Sequence, residues 1–171
     1  MSELSITEKR RLVIAYDGTE DANKLFEWAL KNIVNQKTDH VILVSALPRT
    51  AHSGSKHLKD EHLPEISTTP TRVNEAIEEV EKETHHSKPA RDLLQAMATQ
   101  LKSANISSEQ HILWGEAKEV LPKYCQSHKV DLLIVGSRGL STMKSVFLGS
   151  VSDKCVRECP CPVLVVRNAT I

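Results

Sequence analysis

Five short aliphatic runs punctuate the chain, and between them apolar residues return at helical spacing. Leu12 to Tyr16 ends in Asp17-Gly18 and reads as a fully buried strand. Ala22, Leu25, Phe26, Ala29, Leu30 and Ile33 then share one helical face, which Thr19 or Asp21 can cap. Val41 to Leu47 is a second strand, His111 to Trp114 a short third closed by Gly115, and Asp131 to Val135 a fourth stopping at Gly136. Pro162 introduces the fifth, Val163 to Val166. Three more apolar stripes are helical: one through Leu93, Leu94, Met97 and Leu101, one through Val120, Leu121, Tyr124 and Cys125, and one through Val151, Cys155, Val156 and Cys159.

Two prolines bear on where these helices start. Pro89 suits a first turn, where its missing N–H had no partner anyway, so a helix is expected to open there. Pro122 would cost about 3 kcal/mol in a helix interior. The helix carrying it is therefore expected to begin near Lys118, with Pro122 in its first turn. Arg49 to Thr71 shows no period and holds Gly54, Pro64, Pro70 and three histidines, which reads as a mobile insertion loop at about 49–72. A separate helical face restarts at Val73, Ala76, Ile77 and Val80.

Alternation of buried strands with amphipathic helices predicts one α/β domain over residues 1–171, an open five-stranded parallel sheet with helices on both faces. Lys plus Arg is 22 and Asp plus Glu is 22, so the basic stripe of a nucleic-acid binder is not expected. No apolar run approaches the roughly 18 residues of a membrane span, and the first residues lack the apolar stretch of a leader. A cytosolic or nuclear protein is expected, in which Cys125, Cys155, Cys159 and Cys161 are reduced thiols.

In open parallel sheets ligands sit at the carboxyl ends of the strands. The fourth strand runs into Gly136-Ser137-Arg138-Gly139, and after a nine-residue spacer Gly149-Ser150-Val151-Ser152 opens the last helix. Paired glycines let the backbone turn and approach a ligand closely. A Gly-Ser at a helix start offers free N–H groups at the positive end of the dipole. Singly, each glycine is most often a turn or a cap. In register after one strand, they describe a phosphate loop with two lips, its spacer Leu140 to Leu148 packing as a short helical turn.

Other candidates carry less. His52, His57, His62 and His85-His86 lack the rigid frame that metal ligation needs. Cys155 and Cys159 fall on the buried helical face, and Cys161 beside Pro162 is the thiol to watch for redox chemistry. Lys144 lacks the upstream glycine motif of an adenylate-forming loop. No Ser–His–Asp arrangement can be argued from spacing.

The pattern Gly136, two residues, Gly139, nine residues, Gly149, Ser150 resembles the signature of the universal stress protein family. The opening LVIAYDGTEDANKLFEWAL and the closing CPVLVVR are similar to that family's first strand and helix and its last strand. The resemblance implies a Rossmann-like sheet of strand order 3-2-1-4-5 and binding of ATP, with or without magnesium. Adenosine would lie against Ala15, Tyr16, Asp17 and the backbone of Ala46. Ribose and phosphates would follow Gly136, Arg138, Gly139, Gly149, Ser150, Val151 and Ser152. This chain departs from many members in Ala15, where they carry Pro or Val, and in Ser45-Ala46, where they carry His-Val.

The expected function is regulatory: a stress-response protein that holds an adenine nucleotide without fast hydrolysis. It would act as a homodimer through Val163 to Val166, an apolar strand with almost no charge to protect an edge. The alternatives are a nucleotidyl transferase or pyrophosphatase of the same fold group, or a nucleotide-free scaffold. An enzyme of that kind should carry a glycine-rich loop after its first strand, where this chain has DGTEDAN.

Overall fold

The computed structural model describes residues 5–49, 70–137 and 148–167, and for 70–86 the backbone alone. The elements in chain order are β1 (Arg10–Ala15), α1 (Glu20–Asn32), β2 (Asp39–Leu47), α2 (Pro70–Ser103) and β3 (Ser107–Trp114). They continue with α3 (Ala117–Ser127), β4 (Leu132–Ser137), α4 (Ser150–Glu158) and β5 (Val163–Arg167). The sheet order is β3-β2-β1-β4-β5, and every pairing is parallel.

The pleat explains the aliphatic runs. Ile14, Val41, Leu43 and Ile134 face one side, where Leu25, Phe26 and Ala29 of α1 and Leu94, Met97 and Leu101 of α2 cover them. Val13, Ile42, Val44, Leu133 and Val135 face the other, under Leu121 and Tyr124 of α3 and Cys155 of α4. A strand buried on both faces has no polar position to spare. Each fully buried aliphatic side chain contributes about 1.5–3 kcal/mol. The chain builds β2 and β3 on one flank of β1, then crosses to place β4 and β5 on the other. The gap between the carboxyl ends of β1 and β4 is therefore the point where strand order reverses.

Three expectations need correction. Pro89 does not open a helix: α2 runs 34 residues with Pro89 in its interior, so the two helices expected from the sequence are one. A proline removes a single ladder bond, and Leu94, Met97 and Leu101 anchor the helix beyond it on the sheet. α3 starts at Ala117, close to the expected Lys118, yet Pro122 is buried beyond the first turn. β3 begins at Ser107 rather than His111, because Ser107 to Gln110 pair with β2 from His40 to Leu43 along an edge that tolerates polar residues. The insertion expected at 49–72 falls largely on residues outside the described ones; its last three positions already belong to α2. Among the described residues no helix is long and apolar enough to cross a membrane.

At the amino end of β2, Asp39 is fully buried and carries much of the local order. Its Oδ1 accepts from Arg10 Nε at 3.0 Å and its Oδ2 from Arg10 Nη2 and the Asn35 amide, both at 2.8 Å. The Thr38 hydroxyl donates to Oδ1 at 3.2 Å.

Candidate functional site

A cavity of about 410 Å³ opens at the reversal point. Its volume falls in the range of small-molecule sites. The floor is apolar, made by Ala22 and Leu25 of α1, Val44 of β2, Val135 of β4, and Ala117 and Leu121 of α3. The rim is polar, made by the turn after β1 and by the start of α4.

The β1 turn is held from within. Gly18 has φ +81°, a left-handed conformation that only glycine adopts without strain. Asp17 Oδ1 accepts from the Thr19 amide at 3.0 Å and from the Thr19 hydroxyl at 2.6 Å. That hydroxyl oxygen in turn accepts from the Ala22 amide at 3.2 Å and caps α1. Asp17 is exposed at the cavity rim, so its carboxylate has a capping duty alongside any ligand contact. Asp17→Ala is expected to cost about 1 kcal/mol of stability, a melting-point drop of about 2–4 °C for a chain of this size. Thermal melts check this. Tyr16 is buried, and its hydroxyl donates to Asn23 Oδ1 at 2.6 Å. Burial, with Asp17 beside it, holds that hydroxyl above the ordinary tyrosine range.

Ala46 offers its backbone. The Tyr16 amide donates to Val44 O at 2.8 Å, the last bond across the β1–β2 edge. Backbone polar groups alternate sides along a strand, so Ala46, two residues further, aims its N–H and C=O past the end of β1. That is a donor and an acceptor side by side at the cavity wall.

The opposite rim is the amino end of α4. Gly149 is the N-cap and makes no side-chain cap. The first ladder bond is Asp153 N to Gly149 O at 2.9 Å, so the amides of Ser150, Val151 and Ser152 have no acceptor within the helix. Such amides, at the positive end of the dipole, form an anion site. Ser152 is buried, and its hydroxyl donates to Gly136 O at 3.0 Å. Its side chain therefore pins α4 to the end of β4, and its hydroxyl proton is already committed, while its amide is left for a ligand. Gly149 has φ −60° and ψ 153°, which any residue adopts. Among the described residues, the nearest side chain to a Cβ built there is Ser152, with Oγ at 3.9 Å. Neither backbone conformation nor crowding from the described residues requires glycine at this position.

The structure thus brings Ala15, Tyr16, Asp17, Ala46, Gly136, Gly149, Ser150, Val151 and Ser152 around one cavity. Arg138, Gly139 and most of the spacer 140–148 lie outside the described residues. Thr19, Asp21 and the apolar floor also line the cavity; of these the sequence had marked Thr19 and Asp21 only as caps. Among the described residues no group of three or more His, Cys, Asp or Glu is placed to hold a metal. Magnesium at this site would have to arrive with phosphates and water as its main ligands.

An open parallel sheet with a cavity at its reversal point and a helix amino end on the rim defines a doubly wound α/β domain with a candidate ligand site. The sequence profile of the universal stress protein family matches residues 9–167, and the chain belongs to that family. A universal stress protein A-like protein of Arabidopsis thaliana is 28% identical over 148 residues, covering 85% of this chain and 78% of that protein. A universal stress protein of Thermus aquaticus is 46% identical over 56 residues, a match spanning 33% of this chain and 41% of that protein. Among solved structures, an Arabidopsis thaliana family member with AMP bound superposes with TM-score 0.59 at 20% identity, covering 92% of this chain and 91% of that one. A universal stress protein in complex with cAMP gives TM-score 0.60 at 20% identity, covering 94% and 98%.

Proposed function

We propose that this protein holds an adenine nucleotide, ATP with magnesium foremost, in the cavity between β1 and β4, and acts in the stress response through the bound state rather than by turnover. The observation that carries the reading is the amino end of α4, without a cap among the described residues, lining one apolar-floored cavity together with Ala46. The base fits the apolar floor, with its polar edge on the Ala46 backbone. The phosphates fit the amides of Ser150 to Ser152. Relatives of the same fold solved with AMP and with cAMP support the ligand class. Calorimetry with magnesium and ATP is expected to give a dissociation constant on the order of 1 μM, roughly −8 kcal/mol. Neither heat nor a thermal shift with any adenine nucleotide would refute the reading. Phosphate release at more than a trace rate would assign an enzyme instead.

We also read the protein as a homodimer through β5, which the sheet order leaves at an edge. Leu133 N donates to Pro162 O at 3.0 Å, so alternation aims the backbone of Leu164 and Val166 at β4 and that of Val163 and Val165 at the open edge. Exposed edges of this kind invite pairing with another chain. Val165→Pro removes an outward donor while sparing the ladder to β4. It is expected to convert a dimeric mass in light scattering to a monomeric one. A parent that is already monomeric would overturn the assignment.

A further inference from the structure

All four cysteines lie on the side of α3 and α4 remote from the cavity: Cys125 near the end of α3, Cys155 in α4, and Cys159 and Cys161 just past α4. Cys125 and Cys155 are buried, and Cys159 and Cys161 are half-buried. All four join the apolar cluster on that face of the sheet. Cys159 and Cys161 pack against the buried cluster that contains Cys125 and Cys155. Beside them Gln126 Nε2 donates to Glu158 O at 3.3 Å, holding the end of α3 against the end of α4. Cys159 is the C-cap of α4, with φ −72° and ψ 135°. It has left the helical conformation, so its side chain is free of the helix surface pattern. The cluster is not placed for a metal, since among the described residues no group of three or more ligating side chains could hold one.

We propose that Cys159 and Cys125 form an oxidation-sensitive pair that closes into an intramolecular disulfide between α3 and α4 when the protein meets a hydroperoxide. Of the two thiols in the pair, the half-buried Cys159 rather than the buried Cys125 is the one an oxidant reaches. Its sulfur attacks the peroxide O–O bond, giving a sulfenic acid and releasing an alcohol or water. The Cys125 sulfur then displaces hydroxide from the sulfenic sulfur, its proton leaves with the hydroxide as water, and the S–S bond forms. Two thiols are oxidised and one peroxide is reduced. The bond would tie together two helices that the Lys154–Glu119 ion pair, at 2.6 Å, already joins nearer the cavity. The proposal stands on the thiols alone and is independent of the nucleotide reading.

The surroundings set the rate. Burial holds the Cys159 thiol above the ordinary range; Cys161 and Glu158 push it further up, while hydrogen bonds with Cys125 and Cys155 oppose them. Only the thiolate attacks, so cross-linking is slow at neutral pH and quickens by about tenfold per pH unit between pH 7 and 9. The site then answers strong or sustained oxidation and ignores weak exposure.

The test treats the reduced full chain with hydrogen peroxide at pH 7, 8 and 9, blocks residual thiols with maleimide, and maps tryptic fragments by mass spectrometry. Cys125 falls in fragment 124–129, and Cys159 falls with Cys161 in fragment 158–167. The expected product joins these two fragments, forms faster at higher pH, persists in Cys161→Ser, and is lost in Cys159→Ser. Free thiols at every pH, a sulfinic acid on Cys159 without a cross-link, a Cys159–Cys161 bridge, or a disulfide between two chains would each overturn the proposal. The parent and Cys161→Ser both carry the test, so a misfolded Cys159 variant does not blunt it.

Discussion

Gly149→Val is expected to weaken ATP binding at least about tenfold, roughly 1.4 kcal/mol, in a protein that still folds. The backbone at Gly149 is in an extended conformation open to valine, and among the described residues the nearest side-chain atom to a new Cβ is Ser152 Oγ at 3.9 Å. The fold therefore loses little. Exchanging a glycine N-cap for a β-branched residue costs about 1 kcal/mol, a drop of about 2–4 °C in melting temperature. Gly149 lines the cavity beside Ser150 to Ser152, so the valine methyls are expected at its rim, in front of those amides. A phosphate held there accepts several N–H bonds at once, each about 1.5–3 kcal/mol when the acceptor is charged. Pushing it away by the width of a methyl group breaks that geometry. Adenosine, with no phosphate to displace, should bind the variant nearly as it binds the parent. Titrating ATP and adenosine into one preparation separates the two effects. Unchanged ATP affinity in the folded variant would move the phosphates away from α4.

The central strands were legible because burial on both faces removes polar positions. The runs around Val13, Ile42 and Leu133 could hardly be anything else. β3 was half legible for the opposite reason. It is an edge, and its first half carries Glu109, which pairs with Arg11 at 2.8 Å and lies 3.8 Å from His40. Such polar contacts leave no period in the sequence. Pro89 misled because local propensity argues for a helix start, while packing of Leu94, Met97 and Leu101 on the sheet outweighs one missing bond. At the site, strand ends and the glycine pattern pointed to the residues whose place topology fixes. The apolar floor was not legible. Ala22 and Ala117 are ordinary helix formers in sequence, and whether they face a cavity or a neighbour depends on how far each helix axis stands from the sheet. The bond from Ser152 to Gly136 O was likewise invisible, because it turns on which way one hydroxyl points across 16 residues of chain.

Asp39→Ala is expected to cost about 2–3 kcal/mol, a fall of about 5–10 °C in melting temperature. The Asp39 side chain is fully buried, while that of Arg10 is 46% exposed. The substitution therefore strands one half-solvated guanidinium rather than a sealed charge, which holds the cost below the usual 3–5 kcal/mol for breaking a buried pair. It also leaves the Asn35 amide and the Thr38 hydroxyl without the acceptor that orders the turn into β2. The same contacts make stability depend on pH. Burial alone would raise the Asp39 carboxyl, but bonds from Arg10, Asn35 and Thr38 outweigh it and hold the group below its ordinary value of 3.8. A carboxyl depressed in the folded state contributes its full stability above the unfolded value and loses it as pH falls through the folded one. The Asp39 share of acid unfolding should therefore begin near pH 3.8 and deepen below it. Asp39→Asn keeps the shape and removes the titration. Denaturant melts between pH 2 and 7 should show the parent converging on Asp39→Asn as the acid limit is approached, and staying well above it at neutral pH. Parallel curves for the two proteins over that whole range would mean that the Arg10 pair contributes nothing through its charge.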